Sequence, residues 1–213
     1  MPGSQKLASL VVLAIFGIGV PWLKGLDFLD PVIIAAYCCL GVLFAGPAAA
    51  RAISLERPAA AGPALRVIWK RAALGEALAI AMLAIGIATV NVSVSLTRGS
   101  ASLHLPELDS IAEAVVLGIA GTLAFAALAA WITLRFSALT AKRAMRVIFM
   151  LLAFALLYWP RRLPEVALEG AGLCAIVAAL MIFLVVRFPF AARAAGAAAD
   201  TKSAAPESEK SKA

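Results

Sequence analysis

Residues 72–96 read AALGEALAIAMLAIGIATVNVSVSL, twenty-five positions in which Glu76 is the only charge. About 20 mostly apolar residues in a helix cross a hydrocarbon core of about 30 Å, so this run is long enough to span a bilayer. Five further segments have the same character, at 7–23, 31–50, 110–134, 144–159 and 166–186, and together the six fill more than half of the chain. Runs such as LASLVVLAIFGIGV (7–20) and VIFMLLAFALLYW (147–159) lack the apolar–polar alternation of a barrel strand. Helices are therefore expected throughout.

The composition supports this reading. Of 213 residues, 63% are apolar and 15% charged, and the mean hydropathy is +0.98. A soluble domain holds roughly 45–50% apolar residues and about 25% charged ones, so a soluble fold, a disordered chain and a disulfide scaffold are excluded. The longest connection, 51–71, is too short for a soluble catalytic or nucleotide-binding domain. The expected architecture is an all-α polytopic integral membrane protein. One six-helix domain covers 1–190, and 191–213 form a disordered cytoplasmic tail of Ala, Ser, Lys and Glu. Lys6 ahead of an apolar run resembles the start of a signal peptide, but Pro21-Trp22-Leu23-Lys24 follows where a small-residue cleavage site belongs. That run reads as an uncleaved first span. The fifth span is the shortest, and Arg143 and Arg146 can snorkel to lengthen it.

Charge sets the expected orientation. With the N-terminus inside, the inner side collects Lys6, the five bases of 51–71, the four of 135–146 and the five beyond 186. Only Lys24, Arg98, Arg161 and Arg162 fall outside, so the positive-inside rule predicts six spans with both termini cytoplasmic. Trp22 and Trp159 then mark outer span ends, and Trp69 and Trp131 inner ones. The net charge of +7 becomes about +10 inside and −3 outside. It suits an anionic inner leaflet, not a nucleic acid.

Ionisable and polar residues within spans are the candidates for function. Glu76, a turn inside the third span and near Lys70 and Arg71, reads as a carboxylate paired at the inner interface. Its functional reading is a gating or proton-linked acid. Farther along the same helix, Thr89, Asn91, Ser93, Ser95 and Thr97 can bond between helices or line a polar pathway. Asn91 leads the pathway reading, with Ser95 a turn beyond. Asp30, Glu113 and Glu169 could form an outer cation site. Helix capping accounts for most of the outer acids, through Asp30-Pro31, the capping-box spacing Ser110–Glu113 and Pro164-Glu165. Glu169, a turn deeper, is the least well explained.

In the fourth span Ala114, Gly118, Thr122, Ala126 and Ala130 place a small residue at every fourth position, so Gly118, Thr122 and Ala126 are expected to pack closely on another helix. In the second connection Pro58, Gly62 and Pro63 break the chain before ALRVIWKRAAL. That stretch reads as a short interfacial helix whose Arg66, Trp69, Lys70 and Arg71 contact lipid or dock a cytoplasmic partner. Cys38, Cys39 and Cys174 read as small apolar side chains without metal-ligand spacing. No nucleophile motif, phosphate loop or metal set is found, and the one histidine, His104, stands in an outer loop. No catalytic residue, metal or cofactor is therefore expected. The sequence points to a non-catalytic, permease-like or structural subunit of a membrane transport complex, with a second membrane or cytoplasmic subunit as partner. The alternative is a membrane-embedded enzyme acting on a lipid or lipid-linked substrate at the outer face.

Overall fold

Backbone amides and carbonyls have no water to bond in hydrocarbon, so apolar runs of this length must close their hydrogen bonds internally. The computed structural model describes residues 11, 14–56, 58, 60–99, 103–158 and 167–187, and every regular element among them is helical. A π turn (Ile15–Gly19), a short helix α1 (Val20–Lys24) and a 3₁₀ turn (Gly25–Leu29) lead into five long helices. These are α2 (Pro31–Glu56), α3 (Ala61–Arg98), α4 (Leu108–Arg135), α5 (Ala138–Tyr158) and α6 (Ala167–Arg187). Four of them, α2, α3, α4 and α6, are long and apolar enough to cross a membrane. In α5, Lys142, Arg143 and Arg146 occupy the first half of the helix and shorten its apolar run. The first expected span is described only in its second half.

The second connection differs from expectation. Among the described residues the connection holds no separate interfacial helix: α2 continues to Glu56, and α3 is one helix of 38 residues, about 57 Å long at 1.5 Å per residue. Gly62 and Pro63 do not break it because they lie in its first turn, where backbone N–H groups have no helical acceptor. Ala64, Val67, Ile68 and Ala72 are buried in one cluster with Ala49, Ala52 and Ile53 of α2, and this packing holds the early turns of α3 on the bundle. The other end of α3 stops at Gly99, whose left-handed backbone (φ 63°) lets its N–H bond Ser95 O at 3.1 Å.

Helix α4 is the hub, touching α2, α3, α5 and α6. Its small-residue face is buried at Ala114, Gly118, Thr122, Ala126 and Ala130, and α2 lies along it. Phe125 seats its ring over Gly46 of α2, in the space a side chain would fill. One core cluster gathers the ends of the helices that carry Arg51, Lys70, Arg135 and Arg187, the basic end of the bundle. A second, around Phe28, Ile34, Cys38, Met82 and Val90, fills the opposite end.

Pro21 explains the π turn. It has no N–H, so Gly17 O lacks its i+4 donor and Phe16 O its i+5 donor. The Tyr37 hydroxyl donates to Phe16 O at 2.7 Å. The Thr89 hydroxyl lies 2.8 Å from Ile85 O and 3.4 Å from Gly17 O, tying the turn to α3. Phe28 then fills the notch at Gly86 and meets Tyr37 edge-on, with ring centroids 4.9 Å apart.

Candidate functional site

Where α2, α3 and α4 come closest, each contributes a glycine. Gly41 of α2 and Gly75 of α3 meet backbone to backbone: a Cβ on Gly75 would stand 2.8 Å from Gly41 O. Gly118 of α4 approaches α2 equally closely, since a Cβ there would stand 2.8 Å from Cys38 O. The carboxyl of Glu76 occupies the room left by the absent side chains of Gly41 and Gly118. A Cβ on Gly118 would lie 2.6 Å from its Oε1, and one on Gly41 2.9 Å from its Oε2. Gly41 and Gly118 each stand ten residues from the start of their helix, about 15 Å along the axis. Measured along α2 and α4, the carboxyl is thus near the middle of a hydrocarbon core of about 30 Å.

Glu76 is 5% exposed, and neither of its oxygens has a hydrogen-bond partner. This corrects the expected pairing with Lys70 or Arg71 at the interface. One helical turn and more separates them, and Lys70 points away from the core on the exposed face of α3. Thr122 brings its methyl to the junction, while its hydroxyl is bonded to Ile119 O at 2.9 Å, within its own helix. A buried polar group without a partner costs roughly 1–3 kcal/mol, and a buried charge considerably more. An ionised Glu76 would need a counter-charge that the surrounding side chains do not supply.

The other polar candidates are occupied elsewhere. Asn91 clamps the segment 103–107 to α3: His104 N donates to Asn91 Oδ1 at 2.7 Å, and Asn91 Nδ2 donates to His104 O and Ile87 O at 2.9 Å each. Ser95 donates to Asn91 O at 2.8 Å and Thr97 to Ser93 O at 2.9 Å. Apart from Thr89, which also reaches Gly17 O, this polar ladder therefore bonds within its own helix and to one loop, and no hydrogen bond joins it to Glu76.

The outer acids do not assemble. No three acidic or metal-ligating side chains among the described residues come together as a cation site. Asp30 caps α2, its Oδ1 accepting from Val32 N at 2.8 Å. Glu113 is half-buried within α4, and Glu169 is exposed in the first turn of α6, at the positive end of the helix dipole. The expected capping box at Ser110 is absent, because α4 starts two residues earlier. Ile111 N already bonds Glu107 O at 3.1 Å, placing Ser110 inside the helix. Trp159, Arg161, Arg162, Glu165 and the tail from 191 lie outside the described residues.

Arg66, Trp69 and Lys70 project from the exposed face of the first turns of α3, Trp69 56% exposed, with Arg71 half-buried beside them. Cys38, Cys39 and Cys174 are free thiols. Cys39, not Cys38, faces α6, in a cluster with Leu117, Ala167 and Ala171. The fold is a helical bundle with four helices long and apolar enough to cross a membrane, and Glu76 is the one buried acid among the described residues. The chain matches no protein-family model, no curated protein and no solved structure at a significant level.

Proposed function

We propose that this chain is a permease-like subunit of a multi-subunit transport complex in the cell (inner) membrane, with six spans and both termini cytoplasmic. The observation that carries the reading is Glu76. A bundle that only scaffolds gains nothing from an unpartnered carboxyl at its tightest three-helix junction, where an apolar side chain would be more stable. Ionisable groups at such depth are characteristic of substrate, ion and proton pathways. The first turns of α3, with Arg66, Trp69, Lys70 and Arg71, form the cytoplasmic face on which a partner subunit docks.

The test is isolation of the full chain in native lipid discs, with mass spectrometry of the proteins that accompany it. The expected result is one stoichiometric second chain, lost when Arg66, Lys70 and Arg71 are changed together to Glu. A chain that isolates alone, or only with itself, removes the subunit reading.

A further inference from the structure

The companion that the Glu76 carboxyl requires is constrained by the space around it. A carbon atom on Gly118 or Gly41 would overlap the two oxygens, so no gap of atomic size remains on those sides. A calcium ion takes six to eight oxygen ligands, and magnesium a full octahedron. Here one carboxyl stands without a second acid among the described residues, and the hydroxyl of Thr122, whose methyl lies at the junction, donates to a carbonyl of its own helix. A proton needs neither space nor further ligands.

We infer that Glu76 is a proton-exchange site within the membrane, carrying a proton when α2, α3 and α4 are closed and releasing it when they separate. The proposal rests on the transport reading for its use but not for its chemistry. The groups that face the carboxyl leave it without a fixed counter-charge. From α2 these are Cys38, whose backbone oxygen stands beside the carboxyl at Gly118, and the next residue Cys39, which faces α6 where Cys174 lies; all three are free thiols. From α4 the Thr122 methyl lies at the junction, its hydroxyl bonded to Ile119 O, and the nearest acid of that helix in sequence, Glu113, is five residues from Gly118. On α3 itself the nearest charged residues, Lys70 and Arg71, lie six and five residues away, outside the junction. The backbone contacts of Gly75 with Gly41 and of Gly118 with Cys38 are the seams along which the closed junction can part.

Infrared difference spectroscopy on the full chain in lipid discs tests this directly, comparing the wild type with Glu76→Gln. The expected result is a protonated-carboxyl C=O band that is missing from Glu76→Gln, shifts on transfer to D₂O and is indifferent to Na⁺ and Ca²⁺. Absence of the band, its loss on adding either cation, or its failure to shift in D₂O would each overturn the proposal. Dicyclohexylcarbodiimide supplies a second readout on the wild type alone. It adds across a protonated carboxyl and rearranges to an N-acylurea, with no atom lost, which peptide mass spectrometry locates. Modification of Glu76 that falls at least tenfold as pH is raised supports the site. Modification only of other acids counts against it. A missing partner subunit in native discs leaves both readouts unchanged, so the two proposals fail separately.

Discussion

Glu76 and Gly118 impose their constraints on each other. A methyl group at Gly118 meets both the carboxyl and the backbone oxygen of Cys38, and helix backbone cannot move aside as a flexible side chain does. Gly118→Ala is therefore expected to destabilise the bundle by about 1–3 kcal/mol. Gly172→Ala, with nothing within 4 Å of the new carbon, should stay within about 0.5 kcal/mol of the parent. Thermal unfolding in detergent distinguishes the two, and equal effects would remove the close junction. The packing role of Gly118 is legible from its spacing along α4. The surroundings of Glu76 are not, because Gly41 and Gly118 lie thirty-five and forty-two residues away in the chain. Near Lys70 and Arg71 in sequence, the carboxylate reads as an interfacial ion pair. Helix rotation turns it into the core instead.

At the scale of elements, α3 holds the main surprise. Proline and glycine read as breakers in a sequence, yet at positions two and three of a helix they interrupt no hydrogen bond. The polar ladder of the same helix shows a related effect. Thr89, Ser95 and Thr97 satisfy themselves on the carbonyl four residues back, and Asn91 makes the two short bonds to another segment. Asn91→Ala should release the segment 103–107, removing two hydrogen bonds worth about 0.5–1.5 kcal/mol each. Amide exchange at His104 is expected to rise about tenfold or more, with Glu76 and the α2–α4 packing unaffected. Unchanged exchange at His104 would show that the clamp contributes nothing in the bilayer.

For the whole molecule, the alternation of basic and acidic connections and the four long apolar helices lead to one topology experiment. In a background with Cys38, Cys39 and Cys174 replaced by Ala, single cysteines are placed at Ala60, Ser100, Ser137 and Arg162 and exposed to a membrane-impermeant maleimide. Ser100→Cys and Arg162→Cys are expected to react in intact cells, and Ala60→Cys and Ser137→Cys only after permeabilisation. Reaction of Arg162→Cys only after permeabilisation would mean that α5 does not cross. That helix is the sensitive one, since Lys142, Arg143 and Arg146 leave it the shortest apolar run.

Membrane class, helical content and the placing of the long spans were determined by the sequence alone, because they depend on local quantities: apolar run length and the sign of flanking charge. The small-residue face of α4 was equally readable, as it repeats at the helical period. The continuity of α3, the clamp at Asn91 and the isolation of Glu76 were decided by tertiary structure. Each depends on which residues of distant segments face one another, and neither composition nor periodicity specifies that register. The buried acid is visible only when glycines of two other helices, Gly41 and Gly118, are placed against it.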